Sequence, residues 1–202
     1  LERWVEGFQL RHGGVSAHLL DDSVVLTGDD GALAQISVPW GHVDEHTTTP
    51  VSDLIALVTA PVRFGALLVR KQAHAVGVFA RDELVASKVG SHYVQGRTKA
   101  GGWSQQRYAR RRDNQTARAY EDAADDAAAV LLPEVERLDA LVCGGDTTAV
   151  NSVLADPRLA PLAELRAHSP QQVWPVPDPK LAVLRDFPRQ FRTLTIRLNE
   201  LA

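Results

Sequence analysis

Apolar residues at positions 1, 4, 5 and 8 keep the spacing of one helical face, and Gly13-Gly14 supplies a stop, so the pattern predicts a helix over residues 1–11. Three short segments follow, near 15–20, 23–27 and 32–38, separated by Asp21-Asp22 and by Gly28-Asp29-Asp30-Gly31. Such punctuation between apolar runs reads as hairpin turns and predicts a small antiparallel meander. A short helix is expected over Val51 to Thr59, ended by Pro61. Arg63 to Arg70 and Ala73 to Ala80 are apolar, partly β-branched runs joined by Lys71-Gln72, with further strands expected over 83–89 and 92–98. The period then changes. Ser104 to Leu132 holds no Gly or Pro and is rich in Ala and Arg, which predicts one long helix opening after Gly101-Gly102 and stopping at Pro133. Leu138 to Cys143 reads as a buried strand, Gly144-Gly145 as a turn, and Asp146 or Thr147 as the cap of a helix running to Ala155. A Pro-rich connection from Pro170 to Pro179 precedes a helix near Lys180 to Arg185 and a last alternating segment, Arg192 to Leu198.

Hairpin strands, a long helix and then a strand–helix–strand unit imply an α/β fold, a mixed β-sheet packed with helices. The expected organisation is a single domain over 1–202, with a helix, meander and short helix in 1–60 and an α/β core in 61–202. At 202 residues and 22.0 kDa, with 45% hydrophobic residues, the chain can bury a sizeable core without a disulfide or structural metal. Its single cysteine, Cys143, excludes an intrachain disulfide and any cysteine-based zinc site, and suits a reducing, cytoplasmic setting. Runs such as Ala66 to Val69 and Ala127 to Leu132 are far shorter than the ~20 residues that span a bilayer. No basic-then-apolar signal opens the chain, though the absence of Met and the start at Leu1 imply residues missing before it.

The net charge of -3 argues against a generic polyanion binder, but the average conceals the distribution. Between Leu84 and Arg112, seven cations (Lys88, Arg97, Lys99, Arg107, Arg110, Arg111, Arg112) occur with no Asp or Glu. The next stretch, Asp113 to Asp126, carries five acids against one Arg. A basic pole therefore adjoins an acidic stem.

Within the basic segment, a loop containing Gly96, Gly101 and Gly102 opens the long helix. Paired glycines permit a backbone excursion that a β-carbon forbids, so the loop can project and approach another chain closely. The helix start offers unpaired N–H groups suited to a phosphate or a developing oxyanion. Arg107, Arg110 and Arg111 stand at i, i+3 and i+4 and would form a cationic strip suited to a nucleic-acid backbone, while Trp103 could stack on a base or ribose. The plainer alternative has the arginines pairing with the acidic half of the helix and Trp103 filling the core.

The run from Gly96 to Arg112, Gly-Arg-x-Lys-x-Gly-Gly-x-Ser-x-x-Arg-Tyr-x-Arg at its start, resembles the catalytic loop and following helix of the central domain of class 1 peptide chain release factors from eukaryotes and archaea. It is still more similar to the release-factor-like peptidyl-tRNA hydrolases of ribosome quality control, which include an actinobacterial branch. The resemblance implies a ribonuclease-H-like α/β layout. It also implies a loop, residues 96–106, that enters the peptidyl transferase centre and promotes hydrolysis of the ester between nascent peptide and tRNA, in rescue of stalled ribosomes. The implied partners are the large ribosomal subunit, peptidyl-tRNA and ribosomal RNA, with no membrane, DNA, metal or cofactor. The implied catalytic residues are Gly101, Gly102 and Gln105, with Gln106 as second candidate; the implied RNA-binding residues are Arg97, Lys99, Trp103, Arg107, Arg110 and Arg111. Release factors carry glutamine directly after the glycine pair, whereas Trp103 holds that place here. In the quality-control hydrolases the glutamine lies later in the loop, which is why Gln105 leads. A neutral amide can orient a water by donating and accepting hydrogen bonds, and an aminoacyl ester is activated enough for positioning and oxyanion stabilisation to suffice. Nothing resembles a codon-reading domain. The alternative from another class is a non-catalytic RNA-binding or ribosome-associated module of the same fold.

Two motifs carry less. His42-Val-Asp-Glu-His46 matches the H-x-x-E-H zinc-protease pattern, but Pro39, Gly41 and Thr47-Thr48-Thr49-Pro50 around it argue for a loop. Gly144-Gly145-Asp146 lacks both G-x-G-x-x-G and a Walker lysine, and reads as a plain strand–helix turn. His92, beside the basic loop, could touch RNA or serve structurally.

Overall fold

In the computed structural model, the described residues are 1–21, 23–37, 41, 43–91 and 103–202, and the side chains of 103–113 lie outside the description. The elements run α1 (Glu2–His12), β1 (Val15–Leu20), β2 (Ser23–Gly28), β3 (Leu33–Ser37), α2 (Pro50–Thr59), β4 (Arg63–Arg70), β5 (Ala73–Ala80), β6 (Glu83–Ser91), α3 (Trp103–Leu131), β7 (Ala140–Gly145), α4 (Thr147–Leu154), α5 (Ala160–Ala167), β8 (Val173–Trp174), α6 (Leu181–Phe191) and β9 (Thr195–Leu198). Two compact units result: Leu1–Ala60 with Arg192–Ala202, and Pro61–Phe191.

The first unit is the expected meander with one strand added from the far end of the chain. Its antiparallel sheet has the order β1-β2-β3-β9, with Ile36 opposite Ile196 and Ala34 opposite Leu198. Strand β1 alternates between half-buried and exposed positions, as a sheet covered on one side requires. Val5 and Phe8 of α1 and Leu54 of α2 pack with Val24, Leu26, Ala34 and Ile36. Asn199 fastens β9 by accepting from Leu33 N–H at 3.0 Å and donating to the Gly31 carbonyl at 2.9 Å.

The second unit holds a five-stranded mixed sheet, β6-β5-β4-β7-β8. Strands β4, β5 and β6 form an antiparallel meander, and β7 and β8 extend it in parallel on the β4 side. That is the ribonuclease-H-like layout, and the α/β expectation holds. Parallel extension needs helical crossovers, and both faces are accordingly covered. On one face Leu67, Val69, Val76, Val78, Leu141 and Cys143 meet Ala123, Ala127 and Leu131 of α3, Val150 of α4 and Leu162 of α5. On the other, Phe64 stacks on Phe79 at 4.8 Å and meets Phe191 edge-on at 4.6 Å, with Trp174 and Phe187 close by.

The long helix expected over 104–132 is α3, and the helix expected to end near Arg185 continues to Phe191 through Pro188. Burial of Phe187 and Phe191 holds that last turn despite the lost hydrogen bond. Helix α5 occupies a stretch to which the sequence pattern assigns no element, and the two-residue β8 lies within the Pro-rich connection. The strand expected over 92–98 lies outside the described residues.

Candidate functional site

The backbone of α3 begins at Trp103, directly after the glycine pair, so Gln105 and Gln106 are its third and fourth residues. Positions 107, 110 and 111 fall on one side of that helix by register. Arg97, Lys99, Gly101 and Gly102, together with His92, lie outside the described residues. Among the described side chains of α3, which begin at Asn114, the first buried one is Ala119. At the helical rise, residues 103–119 cover about 24 Å of axis. Gln105 and Gln106 therefore stand about 20 Å along the helix axis from that first described buried position.

The packed part is held by a stripe of small residues, Ala119, Ala123 and Ala127, against β5 and β6. Beside the stripe, Asp126 accepts from His74 Nε2 at 2.9 Å and from Lys88 Nζ at 3.0 Å. Burial alone would push the Asp126 carboxyl up, but the hydrogen bonds from His74 and Lys88 outweigh it and hold the group below the usual carboxylate range. His74 is 2% exposed and stands opposite Gly90 in the β5–β6 register. A β-carbon on Gly90 would overlap the His74 ring, coming within 2.7 Å of its Nε2, so glycine at the foot of the loop is what lets the ring lie there. Asp125, one residue earlier, accepts from Arg158 Nη1 at 2.6 Å. Two of the stem's acids are thus engaged by residues outside the arginine strip.

A cavity of about 370 Å³ opens at the same end of the sheet, between Gln72-Ala73, Val89 to Ser91 and Asp178 to Lys180. Arg70 closes its flank by donating to the Val176 carbonyl at 2.9 Å, with Asp178 at 3.7 Å. Sequence reading passed over His74 and Asp126. The available signal was a lone histidine in an otherwise apolar strand, AHAVGVFA, and an acidic residue on the alanine face of a helix.

The other motifs resolve as follows. Gly145 has φ 107° and approaches the Val69 backbone so closely that a β-carbon would strike its carbonyl, while Asp146 N–H donates to that oxygen at 2.8 Å. The Asp146 carboxylate then caps α4 by accepting from Ala149 N–H. The glycine pair there serves the chain's own packing. Residues 43–49 form turns rather than helix, with His46 N–H bonded to Asp44 Oδ1, and His42 lies outside the described residues. Among the described residues no His, Cys, Asp or Glu group could hold a metal, and no helix is long and apolar enough to cross a membrane.

The ribonuclease-H-like core, together with the glycine-paired basic run that precedes α3 in the sequence, points to a release-factor-like class. The profile of the Actinobacteria/chloroflexi VLRF1 release factor family matches residues 62–197, and the chain belongs to that family. No curated protein matches the chain. Among solved structures, the archaeal translation termination factor aRF1 superposes with a TM-score of 0.48 at 17% identity, over 80% of this chain and 45% of that one. A second archaeal protein gives 0.46 at 14% identity, over 80% and 48%. The chain spans less than half the length of either.

Proposed function

We propose that this protein is a cytoplasmic peptidyl-tRNA hydrolase that acts on the large ribosomal subunit, cleaving the ester between nascent peptide and tRNA during rescue of stalled ribosomes. The observation that carries the reading is the run Gly101-Gly102-Trp103-Ser104-Gln105 at the opening of α3, in a chain of the VLRF1 release factor family. Gln105 orients the attacking water, with Gln106 the second candidate. Gly101 and Gly102 let the backbone approach the ester. N–H groups at the helix start favour the oxyanion, and Arg97, Lys99, Arg107, Arg110 and Arg111 hold RNA phosphates, with Trp103 stacked on a base or ribose.

Release of labelled peptide from stalled large-subunit complexes tests this. Wild type is expected to release peptide, and Gln105→Ala to lower the single-turnover rate about 100-fold, the scale of losing one preorganised hydrogen-bonding group. Full activity in both Gln105→Ala and Gln106→Ala would overturn the mechanism. Trp103 directly after the glycine pair favours one competing reading, a non-catalytic ribosome-binding module; salt-sensitive subunit binding without release in the wild type would establish that instead.

A further inference from the structure

His74 touches both chain segments that flank residues 92–102. It sits on β5, its ring lies over Gly90 one residue before the end of the incoming strand β6, and its Nε2 donates to Asp126 on the outgoing helix α3. Lys88, two residues before Gly90 on the same face of β6, donates to the other oxygen of the same carboxylate. The two segments leaving the sheet are thus registered to each other by one buried ring, one carboxylate and one ammonium. We infer that His74 is a positioning residue that fixes where β6 ends relative to α3, and so where the opening of α3, with Gln105, stands.

Three features set this apart from ordinary core filling. Burying a polar ring in an apolar strand costs stability unless its hydrogen bonds are made, and a β-branched residue would have filled the same space without that cost. The seat depends on a glycine at position 90, where any other residue collides with the ring. The carboxylate that meets the ring stands at residue 126, within the part of α3 that packs on the sheet, so a tilt of the helix there is carried along its axis to the opening turns. A displacement of about 1 Å at reacting atoms can cost about 100-fold in rate.

The inference rests on the proposed hydrolase reading for its kinetic consequence, and its geometric consequence is measured separately. His74→Phe keeps the volume and removes the donor; His74→Gln keeps a donor near the Nε2 position. Saturating peptide release is expected to fall at least about 10-fold in His74→Phe, with large-subunit affinity within about twofold of wild type, and His74→Gln is expected to recover most of the rate. In parallel, spin labels at Ser91→Cys and Arg118→Cys, both exposed positions, report the distance between strand end and helix. A narrow distribution is expected in wild type and His74→Gln, and a broadened or shifted one in His74→Phe. Should His74→Phe fail to fold, Gly90→Ala, which pushes the ring off Asp126, carries the same two readouts. An unchanged label distance in the donor-lacking variant overturns the inference whether or not the wild type releases peptide. Equal loss in His74→Phe and His74→Gln, tracking melting temperature, also overturns it. A wild type that releases nothing removes the hydrolase reading alone, and the label distances then decide the positioning role.

Discussion

The thiol of Cys143 has no exposed surface on β7, and burial pushes it up to about 11, an effect that the Arg166 guanidinium only partly offsets. Held that high, the group carries about 100-fold less thiolate at pH 8 than an ordinary thiol, before steric exclusion is counted. Native protein is therefore expected to react with an aromatic disulfide reagent at least about 100-fold more slowly than protein in denaturant; comparable rates would mean that β7 is open to solvent. The unfolded thiol ionises at lower pH than the folded one, so stability is full below the unfolded value and declines as pH rises toward about 11. Burial of this cysteine was legible in the apolar run Ala140 to Cys143, because a continuous apolar strand has no solvent face. His74 was not legible, since nothing local in AHAVGVFA says that a carboxylate 52 residues away will meet it. The candidate site divides in the same way: glycine pair, glutamines and arginines are readable as residue types at fixed spacing, whereas the residues that aim them come from a different strand.

At the scale of elements, α6 shows tertiary packing overriding local propensity. Pro188 removes a donor and marks a stop in the sequence, yet the helix runs on because Leu184, Phe187 and Phe191, at helical spacing, face the aromatic side of the second sheet. Trp174 meets both phenylalanines edge-on, at 6.3 and 6.0 Å. Phe187→Ala is expected to cost about 3–5 kcal/mol, lowering the melting temperature on the order of 10 °C. A shift within 2 °C would show that the last turns of α6 contribute little to the sheet. The hairpin strands and α3 were readable because their signals are local: turn residues between alternating runs, and 29 residues of helix without Gly or Pro. Helix α5 and strand β8 were not, because eight and two residues give too few periods, and Pro161 and Pro170 read as breakers although the first stands at a helix start.

Over the whole molecule, the last strand and the charge distribution are the features that no single window displays. Strand β9 pairs with β3 across more than 150 residues, and only the complete fold tells its short alternating segment which sheet to join. The charge divides into +7 over residues 84–112 and -10 elsewhere. Within that segment Lys88 is engaged with Asp126, and Asp125 and Asp126 are engaged with Arg158, His74 and Lys88. The other six cations of the segment, Arg97, Lys99, Arg107, Arg110, Arg111 and Arg112, have side chains outside the described residues. If Arg97, Lys99, Arg107, Arg110 and Arg111 each neutralise one RNA phosphate, the logarithm of large-subunit affinity should fall with the logarithm of salt with a slope of about -4. Arg110→Glu should flatten that slope by about one and weaken binding at low salt, whereas Arg158→Glu, whose guanidinium lies between Asp125 and Asp156, should leave the slope unchanged. A slope near zero in the wild type, or equal flattening by the two variants, would show that the excess positive charge of residues 84–112 does not meet the ribosome, and the -3 average would then describe the binding surface better than the local +7.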